Sequence, residues 1–240
     1  MEFTFEDFKK RATNPSLSKN EKIGFPDSYR KGVDEHIYFD ISRKLDLEKE
    51  NLKILDIGCG CGDLLDQIII GSTRNNSSLF LVDSEEMLNN INPDICSENI
   101  HLVPGYFPKI DLFNSNFNNH FDRILIYSVI QYVYLEQNIY KFIHKCIDLL
   151  KSDGMLLIGD IPNISARDRF IQSEEGRKFL TNKFQNSVKI EHEKYERIDD
   201  SIMISIISHF RNFGCETYIL PQTKNLPFGN RREDILIIKR

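Results

Sequence analysis

Leu52-Lys53-Ile54-Leu55-Asp56-Ile57-Gly58-Cys59-Gly60-Cys61-Gly62-Asp63-Leu64 is the stretch that decides the fold. A largely apolar run ends abruptly at three glycines spaced two apart, and an amphipathic run begins at Leu64. That order predicts a buried strand, a tight loop and a helix N-terminus. Glycine lacks Cβ, so the loop can take positive φ and let a ligand approach the main chain closely. The helix behind it presents free N–H groups and the positive end of its dipole. The spacing is G-x-G-x-G rather than the G-x-G-x-x-G of a dinucleotide fingerprint, and Asp63 stands where that fingerprint has its last glycine. Two carboxylates, Asp56 and Asp63, flank the loop. They disfavour a pyrophosphate and suit a cationic or amino-bearing ligand. Asp63 is also a good N-cap candidate.

S-adenosylmethionine fits that description, with a sulfonium, an ammonium and no phosphate. The stretch Leu55 to Gly62 resembles the glycine motif of class I S-adenosylmethionine-dependent methyltransferases. The resemblance continues through Leu79-Phe80-Leu81-Val82-Asp83, similar to the second strand with its terminal acid. Phe121 to Ser128 is similar to the fourth strand. Leu149 to Ile158 is similar to the helix, turn and strand that follow. The likeness runs from Asn51 to Asp160 and again from Asp199 to Arg240. It implies an α/β, Rossmann-like three-layer sandwich with a mostly parallel seven-stranded sheet and a C-terminal antiparallel hairpin.

The chain has 240 residues, enough for one sizeable α/β core. Apolar residues make up 40% and charged residues 28%, an ordinary globular balance. A net charge of −5 with no basic stripe argues against a nucleic-acid partner. No apolar run reaches the length of a membrane span, and Met1 to Phe8 is too acidic for a secretory leader. The five cysteines are odd in number and scattered, which fits a reduced, cytoplasmic setting. Cys59-x-Cys61 lacks the second Cys/His pair of a zinc site, so no metal is expected.

Residues 1–50 are expected to form a helical cover, with Asp34 capping a helix whose stripe is Ile37, Ile41 and Leu45. The methyltransferase domain is expected over 51–240. Its clearest helix is Glu136–Leu150, with Gly154 turning the chain into a strand over Met155–Ile158. Alternation fails over 162–198, and that segment is expected to be a lid-like insertion beyond the fifth strand. Asp199-Asp200 caps a helix with the stripe Ile202, Ile206, Phe210 and Phe213, closed by Gly214. Strands are expected over Glu216–Leu220 and Asp234–Lys239.

For the cofactor, the expected contacts are Gly58, Cys59, Gly60 and Gly62 around the methionine part and Asp56 toward the ammonium. Asp83 is expected on the ribose hydroxyls, with Ser84 and Met87 close by. The family often places an acid after the third strand for the adenine amine. This chain has Gly105-Tyr106-Phe107 there, so main-chain groups or ring stacking take that part. Tyr127 and Ser128 end the fourth strand opposite the loop, and Tyr29 and Arg30 are candidates for the cofactor carboxylate. Gln131, Tyr132, Arg231 and Arg232 are the acceptor candidates. Asp160 is the first choice of base and His192 the second.

Gly159-Asp160-Ile161-Pro162-Asn163, Pro221-Gln222 and Arg231-Arg232-Glu233-Asp234 resemble a narrower subgroup encoded with bacterial surface-polysaccharide genes. That resemblance implies O-methylation of a small polar metabolite such as a sugar or a phosphoramidate-like group. Alternatives are a non-catalytic cofactor-binding subunit and an N-methyltransferase of a small amine. An NAD-linked oxidoreductase is disfavoured by the glycine spacing.

Overall fold

Alternation of apolar residues along the strands sends successive side chains to opposite faces, and both faces are buried. Ile124 and Ile126 pack on one side of the sheet and Leu125 on the other; Leu156, Leu157 and Ile158 repeat the pattern. The computed structural model describes residues 4–30, 32–113, 117–183 and 197–240. The chain begins with helices α1 (Phe5–Ala12), α2 (Lys19–Lys22), α3 (Asp27–Arg30) and α4 (Asp34–Leu45). Then come β1 (Lys53–Ile57), α5 (Asp63–Arg74), β2 (Ser78–Asp83), α6 (Glu85–Leu88), β3 (Ile100–Pro104) and β4 (Phe121–Tyr127). They are followed by α7 (Ile130–Glu136), α8 (Ile139–Leu149), β5 (Leu150–Pro162), α9 (Ile164–Gln172), α10 (Glu174–Lys183), α11 (Asp200–Asn212), β6 (Glu216–Pro221) and β7 (Arg232–Ile238).

The sheet has seven strands in the order β3-β2-β1-β4-β5-β7-β6. All neighbours are parallel except β5–β7 and β7–β6, which are antiparallel. This is the expected α/β three-layer sandwich with a C-terminal antiparallel hairpin. Helices α4 and α5 supply one cover, through Ile37, Ile41, Leu45, Leu65 and Ile69. Helices α7, α8 and α11 supply the other, through Val133, Phe142, Ile143, Met203 and Phe210. Strand order reverses between β1 and β4, so their carboxyl ends open a crevice, the usual ligand position in such sheets.

Several local expectations need correction. Asp34 is the first helical residue of α4, the cap position belongs to Val33, and no side chain caps it. Gly62, not Asp63, is the N-cap of α5. The expected helix from Glu136 begins at Ile139, because the Asn138 side chain accepts from the Lys141 amide and ends the preceding turn. The left-handed residue at the expected turn is Asp153, with φ 60°, rather than Gly154, and it lies inside β5, which already starts at Leu150. In α11 the buried stripe is Met203, Ile206, Ile207 and Phe210; Phe213 is 64% exposed.

Candidate functional site

The crevice is a cavity of about 1120 Å³ measured to its open mouth, lined by the glycine loop and by the carboxyl ends of β1, β2, β3 and β4. Gly58 and Gly60 hold φ of 74° and 66°, which only glycine adopts without strain. Their bareness also serves the protein's own packing. A Cβ on Gly58 would lie 2.6 Å from Val129, and one on Gly60 or Gly62 would lie 2.8 Å from Ile23.

Asp56 is 3% exposed and lines the cavity, and its carboxyl has no hydrogen-bond partner among the described residues. Burial, helped by the nearby Asp83 charge, pushes it up to about 8. Asp83 accepts from the Gly60 amide at 3.0 Å and the Ser84 amide at 2.7 Å. Burial raises it to about 6 against the opposing pull of those two amides. A carboxylate offers about four lone-pair sites, so each Asp83 oxygen keeps capacity for a ligand hydroxyl. Cys59 lines the cavity too, its thiol pushed well up by burial.

Around β2 and β3 the cavity is lined by Met87, Gly105, Tyr106 and Phe107. Ser84 is not in the lining; its hydroxyl accepts from the Met87 amide and caps α6. On the β4 side, Tyr127, Ser128 and Tyr132 line the cavity. Burial holds the Tyr127 hydroxyl well above its ordinary range. Gly159 is glycine because a Cβ there would lie 2.5 Å from the Tyr127 ring. Gln131 is buried and turned to the main chain, its amide donating to Ser128 O at 2.9 Å.

The remaining residues divide. Arg30 is 4% exposed, lines the cavity, stacks over Phe25 at 4.3 Å and pairs with Asp34 at 3.4 Å. Tyr29 lies outside the lining and stacks on Phe228, centroids 5.4 Å apart. The guanidinium groups of Arg231 and Arg232 lie over Phe228 at 4.7 and 4.2 Å. Arg232 donates to Asp160. Asp160 therefore sits behind the main cavity: its carboxylate also takes the Ser128 hydroxyl and, at 3.3 Å, the Gln222 amide. A carboxylate so engaged does not face an acceptor as a free base, which corrects the first expectation. His192 lies outside the described residues.

The N-terminal helices contribute walls that the motifs did not point to. Phe5, Phe8, Ile23 and Phe25 all line the cavity. Glu136, from the end of α7, accepts from the Tyr106 hydroxyl at 2.8 Å and the Phe5 amide at 3.2 Å, tying α1 across the β3 side. Tyr106 is raised to about 12 by burial and by that bond. Phe5 and Phe8 share one helix face at i, i+3 spacing, which is a readable signal. Glu136 carries none, since nothing local marks an exposed helix-end carboxylate as a site residue.

The lining fits S-adenosylmethionine: an unpartnered buried acid for a cation, a bare loop, and a second acid at the end of the neighbouring strand. Residues 55–158 match the family model described as a methyltransferase domain. A comparison with curated proteins returned no match. Among solved structures, the fold is similar to a SAM-dependent methyltransferase from Aquifex aeolicus, with TM-score 0.59, 14% identity and coverage of 92% of this chain and 97% of that one. It is similar also to the plantazolicin methyltransferase BamL, solved with a triazolic desmethylPZN analog and SAH, at TM-score 0.56, 14% identity and coverage of 98% and 96%. Phosphoethanolamine N-methyltransferase 1 of Haemonchus contortus, solved with phosphoethanolamine and S-adenosylhomocysteine, aligns at TM-score 0.60 and 12% identity, over 98% of this chain and 50% of that one.

Proposed function

We propose that this chain, whose residues 55–158 match a methyltransferase domain, binds S-adenosylmethionine and methylates oxygen on a small polar acceptor that bears an anionic group. A sugar or a phosphoramidate- or phosphate-like group of a surface polysaccharide is the acceptor class proposed. The cofactor supplies an electrophilic methyl on a sulfonium. The chain's part is to bind, orient and exclude water. Asp83 takes the ribose hydroxyls, Asp56 the ammonium and Arg30 the carboxylate. Met87, Gly105, Tyr106 and Phe107 enclose the adenine.

One observation carries the cofactor reading: Asp56, buried in the cavity wall without a hydrogen-bond partner among the described residues. A carboxyl in that state needs a cation or a proton. The acceptor reading is supported by Arg231 and Arg232, both over the Phe228 ring. An anionic phosphate-like oxygen needs no base, which suits a site where Asp160, behind the cavity, is already engaged by Gln222 and Arg232. The segment 162–198 is proposed as a lid, its residues 184–196 lying outside the described residues.

Calorimetry with S-adenosylhomocysteine tests the cofactor half, and absence of binding near 1 mM ligand (about −4 kcal/mol) would remove it. Transfer of labelled methyl to sugar phosphates, set beside small amines, tests the acceptor half. Labelling of amines alone would replace oxygen with nitrogen as the methylated atom. Cofactor binding with no labelling of any acceptor would favour a non-catalytic subunit.

A further inference from the structure

Two non-glycine residues at the carboxyl ends of neighbouring strands hold left-handed backbone: Ser128 after β4, with φ 60°, and Asp160 within the end of β5, with φ 59°. Such conformations cost of order 1 kcal/mol or more and persist only where the surroundings over-determine them. Here the surroundings do. The Ser128 amide donates to Gly159 O at 3.0 Å, and its carbonyl accepts from Gln131 at 2.9 Å. Its hydroxyl donates to Asp160 Oδ2. Asp160 is clamped in turn: Oδ2 also takes Arg232, Oδ1 takes Gln222 at 3.3 Å, and the Asp160 amide donates to Asp234 at 2.8 Å.

This accounting uses every donor on Ser128. What remains at its side chain, in a residue that lines the cavity, is acceptor capacity on Oγ. A ligand donor can meet it. S-adenosylmethionine has three kinds of donor: the adenine amine, the ribose hydroxyls and the ammonium. The ribose acid is at the end of β2, and β2 and β4 are separated by β1, so at about 4.8 Å per strand Ser128 lies roughly 10 Å away across the sheet. The adenine is farther still, toward β3. The ammonium is the donor on the β1–β4 side, and with three N–H bonds it can serve both Asp56 and a second acceptor.

We infer that Asp160 is a positioning residue that acts through Ser128: it takes the hydroxyl proton of Ser128 in a fixed hydrogen bond and so presents Oγ as an acceptor to the cofactor's ammonium group. This rests on the cofactor reading above and gives Asp160 a part other than that of a base.

The test compares two ligands of the full chain by calorimetry: S-adenosylhomocysteine, and 5′-methylthioadenosine, which lacks the amino-acid portion. Ser128→Ala and Asp160→Asn are expected to weaken the homocysteine ligand about ten- to hundredfold, as for a lost hydrogen bond to a charged group. Binding of 5′-methylthioadenosine is expected to change less than about twofold, a split that general damage to the fold would not produce. Ser128→Ala leaves the Asp160–Arg232 pair in place and tests the Oγ contact. The double variant Ser128→Ala with Asp160→Asn, expected to bind S-adenosylhomocysteine no more weakly than Ser128→Ala alone, tests that Asp160 acts through Ser128, and a further loss in the double variant overturns that role. Equal weakening of both ligands, or unchanged binding of S-adenosylhomocysteine, overturns the inference while leaving the cofactor reading intact. Failure of the unaltered chain to bind S-adenosylhomocysteine overturns both.

Discussion

At the scale of single residues, the two buried acids dominate. Both Asp56 and Asp83 titrate above the ordinary carboxylate value of 3.8, at about 8 and about 6. The folded chain thus retains protons that an unfolded chain has released. Fewer protons on the unfolded state make stability fall with rising pH, here from about pH 4 through 6 for Asp83 and on to about 8 for Asp56. A bound ammonium reverses the preference at Asp56 and ionises it. S-adenosylhomocysteine binding at pH 7 is therefore expected to release close to one proton, read by calorimetry in buffers of different ionisation heat. Asp56→Asn should abolish the release, weaken binding about tenfold and flatten the stability decline toward pH 8. A binding heat independent of buffer would count against Asp56 as the ammonium partner. Asp56 was legible in the sequence because it sits between an apolar run and a glycine loop. The state of Ser128 was not, because its left-handed backbone depends on Gly159, Gln131 and Asp160, two of them some thirty residues away.

At the scale of elements, the N-terminal helices and the glycine loop are one packing unit. Ile23 rests on Gly60 and Gly62, Phe8 meets Tyr132 edge-on with centroids 5.1 Å apart, and Glu136 receives the first amide of α1. Helix α1 is only eight residues long, below the length at which a helix is stable by itself, so its order depends on these contacts. Glu136→Ala removes the tie to the Phe5 amide and the Tyr106 hydroxyl together. Hydrogen exchange in α1 is expected to quicken about tenfold, as for the loss of about 1.4 kcal/mol of local stability, with exchange in β1 and β4 unchanged. Unaltered exchange in α1 would show that the aromatic contacts alone hold it. Element existence was legible from periodicity, whereas boundaries were decided by caps: Asn138 starts α8 late, and Asp153 rather than Gly154 bends the chain before the β5 core. The cover's contact with the cavity was not legible, since it joins Phe5 to Glu136 across 131 positions.

At the scale of the whole molecule, one buried charge network links the helical cover to the sheet. Lys44 of α4 pairs with Asp40 at 2.5 Å and with Asp234 of β7 at 2.7 Å. Asp234 also receives the Asp160 amide and Gln222. The network thus runs from α4 through the antiparallel hairpin to the strand end behind Ser128. Burial alone raises Asp234, and Lys44 is the largest influence opposing it. Lys44→Met keeps the aliphatic stem and deletes the charge, leaving two buried carboxylates without their cation. Breaking a buried pair in this way costs about 3–5 kcal/mol, or roughly 6–20 °C in melting temperature for a chain of this size. The loss has a sign in pH. With Lys44 gone, Asp234 should hold its proton to higher pH in the folded state, so the variant should recover stability as pH falls toward the carboxylate range. Lys44→Met with Asp234→Asn should recover part of the loss at neutral pH, because the amide oxygen still accepts from the Asp160 main-chain N–H and only Asp40 is left without its cation. Melting curves across pH 5 to 8 measure this, and equal losses at every pH would mean that Lys44 contributes by packing and not by neutralising Asp234.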